Sequence, residues 1–394
     1  MRICIVMTTK YVASPRCIRI ALSLRKHWVV EVIDFRGQRQ QETADQSTGD
    51  VKVVGLGARW WPKNDLVKFF VLFVKVFPAI LKANADVYHC SGFPALAVAA
   101  LIKVLTGKKL VYDCYEHYPY QFASAPSSKM TLRQSIVWNT ILCFEDALAR
   151  LCDFILVVPT YDDILLKRFE KVRKNKTTLI WNLPFLALLD KTIGSKNIRK
   201  NKTILHVGGI SKNSGADRLL RAISKLVVDF PAIQVLMVGS SDIAEELAHL
   251  AKRLGIEQQF KILKPVSFFE IWKIYNDADI SVVLYQPTFW NLRTMASEKL
   301  FESMLYSLPM IVSDFPGLRR IVSECQSGVL VDPTNPEDIC RGLVSLLSDP
   351  SLSERMGKNG RLWVLRKYNW ENEEKKLVGI YSRILSSVAT SETA

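Results

Sequence analysis

Short apolar runs alternate along the chain with stretches in which apolar residues fall three and four apart. Ile3 to Met7 is the first run; a polar loop to Ser14-Pro15 follows, then a helical stretch carrying Ile18, Ala21, Leu22 and Leu24, then a second run from Val29 to Phe35. An apolar run bounded by polar turns reads as a buried strand, and the wider spacing as an amphipathic helix. The unit recurs as strand Ala85 to His89, helix Phe93 to Leu105, strand Lys109 to Asp113, helix Ile136 to Leu151, and strands Phe154 to Pro159 and Thr178 to Asn182. From Asp190 to Lys202 the chain turns polar and basic, as a linker does. The alternation then restarts with strand Thr203 to Val207 and Gly208-Gly209, and runs through helices 217–228, 243–254, 268–276 and 298–306 and strands 233–238, 260–263, 280–284, 310–312 and 328–331 to terminal helices. This predicts two Rossmann-like, doubly wound α/β domains, 1–185 and 203–394, joined by a linker at 186–202 and facing a central cleft.

At 394 residues there is room for two full cores, and 49% apolar with 23% charged residues excludes disorder and fibrous repeats. A formal charge of +15 favours anionic partners: nucleic acid, a phosphorylated small molecule, or an acidic membrane face. Residues 1–185 hold 26 basic against 15 acidic side chains and residues 186–394 hold 27 against 23, so the excess sits in the first half. These residues are not interleaved with a recognition motif, which sets nucleic acid aside. Eight cysteines form no C-x-x-C pair and no two histidines lie four apart, so neither a zinc ribbon nor a helical HExxH metal site is expected. Cys4, Cys143 and Cys152 read as reduced core residues, and the first apolar run is too short for a signal-peptide core, so a cytoplasmic location is expected.

Leu66 to Leu81 is nearly all apolar, with Lys68, Lys75 and Lys82 at intervals of seven and Trp60, Trp61 and Lys63 just upstream. Seven residues is close to two helical turns, so these lysines share a stripe. Internal lysines and Pro78 make the segment unsuited to spanning a bilayer. It suits a helix lying in an anionic membrane surface, or one packed on the sheet with a solvated lysine edge.

Ser297 is a good helix N-cap with Glu298 in the first turn, and Lys299 and Glu302 share a face. A helix N-terminus with a lysine suits a diphosphate, and a carboxylate one turn on suits the hydroxyls of a ribose; a plain surface ion pair has the same spacing. Gly208 and Gly209 end a strand, where backbone can approach a ligand closely and Lys212 can reach a phosphate, although a glycine pair there also makes an ordinary turn. The matching loop of the first domain, Thr8 to Arg16, has no glycine, which argues against a nicotinamide site. Tyr112 to Tyr118 places Tyr115, Glu116 and His117 at a strand's carboxyl end, where Glu116 or His117 could take an acceptor hydroxyl's proton. His89 reads as a hydrogen-bonded structural residue. Asp277-Ala278-Asp279 resembles a metal-holding DxD, but its place before a strand points to strand entry.

In order and spacing these segments resemble family 4 of the retaining glycosyltransferases (glycosyl transferases group 1), enzymes of the GT-B fold, nearly end to end. "SPRCIRIALSL" is similar to that family's proline-arginine loop and helix, which places Arg16 on the acceptor side with Tyr115 and His117. "ADVYHCSGFPALAVAALIKVLTGKKLVYDCYEHY", "ILHVGGISKNSGADRLLRAI", "YNDADISVVLY" and "EKLFESMLYSLPMIVSDFPGLRRIV" resemble its acceptor-side segments, glycine loop, pre-donor strand and nucleotide-binding helix; "SGVLVDPTNPEDI" and "YNWENEEKKLVGIY" complete the likeness. By that resemblance Gly208 and Gly209 line the donor loop, Glu302 holds the ribose, and Thr294 stands where the family has a glutamate. The usual phosphate-binding arginine and lysine fall at Gly209 and Ser214, so Lys212 and Lys299, with the amides at Ser297, are the expected substitutes, acting without metal or cofactor. Glu116 matches the glutamate of the family's Asp-x-His-Glu segment, while Tyr115 replaces its histidine. The resemblance implies retaining transfer of a hexose-type sugar from a nucleotide sugar to a lipid-linked or cell-envelope glycan at the inner membrane face. It also implies a last helix crossing back to the first domain. A nucleotide-sugar epimerase of the same fold and a non-catalytic partner subunit are the alternatives.

Overall fold

The computed structural model describes residues 1–8, 11, 14–35, 41–43, 51–57, 65–123, 130–187, 202–295 and 297–392. The chain forms two compact units, one of Met1–Pro159, Asp163–Trp181 and Glu371–Ala394, the other of Thr160–Asp162 and Asn182–Trp370. Most of the expected linker, 188–201, lies outside the described residues, as do Trp60, Trp61 and Lys63.

The first unit is built on β1 (Arg2–Met7), β2 (Val29–Asp34), β3 (Gln41–Thr43), β4 (Lys52–Gly55), β5 (Val87–Ser91), β6 (Lys109–Cys114), β7 (Phe154–Val157) and β8 (Thr177–Leu179). They form one sheet in the order β3-β4-β2-β1-β5-β6-β7-β8, parallel except for β3 on β4. Ile3, Ile5, Val32, Val87, Val111 and Ile155 are almost wholly buried, as a sheet covered on both faces requires. β3 and β4 were not anticipated, being only three and four residues long. Because β1 pairs with both β2 and β5, the winding reverses beside β1.

The helix Leu132–Ala149 starts four residues before the periodicity indicated. Thr131 and Gln134 cap each other reciprocally, Gln134 N to Thr131 Oγ1 at 3.2 Å and Thr131 N to Gln134 Oε1 at 2.9 Å. The helix Asp65–Ala83 runs through Pro78, which removes the bond to the carbonyl of Val74. Both residues are exposed, so solvent can serve that oxygen.

The second unit holds β9 (Thr203–Val207), β10 (Gln234–Val238), β11 (Phe260–Leu263), β12 (Ile280–Val283), β13 (Met310–Ser313) and β14 (Gly328–Val331). They form a parallel sheet in the order β11-β10-β9-β12-β13-β14. The helix Ala216–Leu226 buries Leu219, Leu220, Ile223 and Leu226 in one cluster with Ile204, Val235, Met237 and Val282. Asp279 receives the Thr203 amide at 2.9 Å and Lys202 Nζ at 3.3 Å, the strand-entry role expected for it. Winding reverses between β9 and β12, and ligands of such sheets bind beyond the strand carboxyl ends at the reversal. That point lies after Val207 and Val283.

Two loops interlock there. Gly208 N donates to Val238 O at 2.9 Å, and a Cβ on Gly239 would stand 1.8 Å from the Gly208 carbonyl oxygen. Backbone cannot rotate aside as a side chain can, so Gly239→Ala is expected to cost about 2 kcal/mol or more, read by urea unfolding. An unchanged midpoint would show that the loops part freely.

Candidate functional site

β9 is followed by Gly208, whose φ of +105° is a backbone state side chains rarely adopt. Beyond it stands Lys299, in the first turn of the helix Glu298–Leu305, with Cε and Nζ each 3.3 Å from where a Gly208 Cβ would be. Lys299 Nζ also lies 4.9 Å from the centre of the Tyr285 ring, which steadies it. Open space surrounds the position a Gly209 Cβ would take, with nothing within 4 Å. The glycine loop is tied to the segment after β12 by Gln286 N on Asn213 O at 2.9 Å. His206, buried on β9, is held neutral; burial, then the Lys299 charge, brings its pKa down to about 3.

Ser297 occupies the N-cap position, but its hydroxyl does not cap. Oγ faces the Tyr285 hydroxyl at 3.2 Å instead of the helix amides, and the Leu300 and Phe301 amides donate to the Ser297 carbonyl at 3.1 and 3.4 Å. Glu302 is 8% exposed, and Tyr275 Oη donates to its Oε2 at 2.8 Å. Tyr275 in turn stacks on Tyr306, ring centres 5.1 Å apart. The carboxylate is therefore a fixed, inward-packed group rather than half of a surface ion pair. Thr294 lies at the end of the same loop, with its amide on Asn291 O at 3.3 Å. Lys212 differs from its expected place beside Lys299 as a phosphate contact. It is 72% exposed and paired with Glu246 at 3.1 Å, since the turn at Lys212–Ser214 points its side chain outward.

In the first unit Arg16 also differs from the expectation. Its guanidinium is buried and closed on Asp113, with Nε to Oδ2 at 2.8 Å and Nη2 to Oδ1 at 2.6 Å, while Nη1 donates to Ile180 O at 3.0 Å. Burial pushes the Asp113 carboxyl up, but Arg16, aided by His89, outweighs it and holds the pKa at about 2. His89 Nδ1 meets Tyr381 Oη at 2.6 Å, so the helix Trp370–Glu392 is anchored to β5. Arg16 thus positions the strand ends instead of facing a ligand, a role invisible without the fold.

Glu116 is half-buried with Gln121 Nε2 on its carboxylate; burial raises its pKa, which Gln121 partly opposes. The His117 ring lies 4.9 Å from that of Trp138, and Nδ1 accepts the Tyr120 amide at 3.2 Å, which places any ring proton of the neutral form on Nε2. Burial raises the Tyr115 hydroxyl, whose ring meets that of Tyr118 edge to face. These groups cluster beyond the carboxyl end of β6.

Lys75 and Lys82 are exposed on the helix Asp65–Ala83 together with Phe73, Val74 and Leu81, whereas the side chain of Lys68 lies outside the described residues. Among the described residues no helix is long and apolar enough to cross a membrane.

Two parallel α/β sheets of this winding define the GT-B fold. Sucrose-phosphate synthase from Thermosynechococcus elongatus superposes with a TM-score of 0.76 over 98% of this chain and 100% of that one, at 17% identity. Anabaena HepE in complex with UDP and glucose gives 0.70 over 99% and 100%, at 18% identity. A UDP-GlcNAc 2-epimerase from Neisseria meningitidis gives 0.65 over 97% and 100%, at 15% identity. Residues 190–363 match the family model of glycosyl transferases group 1. An uncharacterized glycosyltransferase of Methanocaldococcus jannaschii is 30% identical over 182 residues, 46% of this chain and 44% of that protein. The chain spans about half the length of such curated relatives.

Proposed function

We propose that the protein is a glycosyltransferase that moves a sugar from a nucleotide-sugar donor to a lipid-linked or cell-envelope glycan, with retention at the anomeric carbon. The observation that carries this reading is the Lys299 ammonium group over Gly208 at the reversal of the second sheet. When the bond from C1 to the β-phosphate oxygen breaks, its electron pair goes to the diphosphate, and the growing charge falls where Lys299 stands at the positive end of the helix that begins after Ser297. Glu302, set by Tyr275, holds the ribose hydroxyls, and Gly208, Gly209 and Thr294 shape the loop around the donor. Glu116, its pKa raised, is suited to take the proton of the acceptor hydroxyl as that oxygen bonds to C1. No metal or other cofactor enters this scheme.

Thermal unfolding with UDP- and GDP-sugars tests donor binding. A cognate donor at 100-fold over Kd adds about 2.7 kcal/mol to the folded state. Nucleotide release that requires an acceptor supports transfer. Release or isomerisation of the sugar without acceptor supports an epimerase instead, and binding without turnover under any acceptor would mark a non-catalytic subunit.

We also propose peripheral binding to an anionic membrane face through the helix Asp65–Ala83. Phe73, Val74 and Leu81 offer apolar area beside Lys75 and Lys82. Each lysine-to-glutamate change there is expected to weaken sedimentation with anionic vesicles by about 1 kcal/mol or more. Equal sedimentation with neutral vesicles would remove the electrostatic part of this idea.

A further inference from the structure

Where β6, β7 and β8 begin, the first unit has a cavity of about 210 Å³ whose lining includes Lys109, Asp153, Arg173, Asn175, Lys176 and Arg383. Of these, Asp153 is the one carboxylate, and it is already engaged by Lys103 Nζ at 2.7 Å, the Leu110 amide at 2.8 Å and Lys109 Nζ at 3.7 Å. Glu170 accepts the Asn175 amide at 3.1 Å. Among the described residues, Arg173, Lys176 and Arg383 form no ion pair, and the Arg173 Nε is shut from solvent with no hydrogen-bond partner. Arg383 reaches the cavity from the C-terminal helix and lies over the Phe154 ring at 6.0 Å. Cations from two separate segments therefore converge around a single carboxylate already shared by two lysines, an unfavourable excess of positive charge that an oxyanion relieves. Two guanidinium groups suit the paired oxygens of a phosphoryl group better than a single carboxylate.

We propose that this cavity binds a phosphoryl group and thereby pins the C-terminal helix to the edge of the sheet. The site is made by residues of the first unit alone, whereas the donor loop belongs to the second, and it does not rest on the proposed transferase activity. The probe is pyrophosphate, titrated into the full-length Lys299→Ala protein so that the donor loop contributes little. Hydrogen exchange should slow at residues 173–176 and 380–387, with a rise in Tm of about 3 °C at 100-fold over Kd. Arg173→Gln and Arg383→Gln should each weaken binding about tenfold; Arg383 is exposed, so its variant keeps the test valid should Arg173→Gln fold poorly. A second arm uses short-chain phosphatidic acid below its micelle concentration. Tighter binding than pyrophosphate assigns the site to a lipid headgroup, and equal or weaker binding assigns it to a free phosphate compound. If neither probe protects these segments, or protection survives in Arg383→Gln, the proposal is overturned.

Discussion

Lys299→Ala is expected to lower kcat/KM for sugar transfer by about 10² to 10³, the usual loss when one fixed donor facing a developing oxyanion is removed. The expectation follows from position. The Lys299 ammonium group sits 3.3 Å from the place of a Gly208 Cβ and over the Tyr285 ring, so it is held where a pyrophosphate on the glycine loop would meet it. Lys212→Ala should change turnover by no more than about threefold, because an exposed pair with Glu246 contributes little. Gly208→Ala adds strain at φ +105° and crowds the same ammonium group, so it should fall between the two. Initial rates with the cognate donor rank the three variants. Unchanged turnover in Lys299→Ala, or an equal loss in Lys212→Ala, would refute this assignment of roles.

The second large effect is on stability. Arg16→Ala leaves the Asp113 carboxylate buried without its guanidinium, which costs about 3–5 kcal/mol. The paired change Arg16→Met with Asp113→Leu should restore most of that, since apolar groups of similar size need no counter-charge. The pH dependence gives a separate reading. With a pKa of about 2 in the fold, against about 3.9 in an unfolded chain, Asp113 contributes stability that is complete above pH 4 and is lost as pH falls toward 2. In Arg16→Ala, burial raises the carboxyl pKa against His89 only, so mild acid should stabilise the variant relative to neutral pH. Urea midpoints across pH 3 to 7 distinguish the two behaviours; parallel curves would mean that the pair is not coupled to folding.

Strand runs and helical spacing were enough to place most of both sheets, because buried parallel strands need continuous apolar runs whatever surrounds them. β3 and β4 escaped that reading, since strands of three and four residues are too short to carry a distinct apolar run. The start of Leu132–Ala149 was missed although its reciprocal cap, Thr131 with Gln134, is a local pattern that could have been found. His206 and Tyr275 gave no local sign, because their partners Lys299 and Glu302 are far away in sequence.

The order of apolar and polar positions was sufficient for the class of fold, the glycine turn after β9 and the helix that carries Lys299 and Glu302, since each depends on neighbours within a few residues. Which lysine meets the glycine loop, why the Ser297 hydroxyl turns to Tyr285 instead of its helix amides, and that Arg16 turns inward to Asp113 were settled by packing. Those outcomes depend on Tyr285, Glu246 and Asp113, partners 12, 34 and 97 residues away that only the folded sheets bring within a few ångströms.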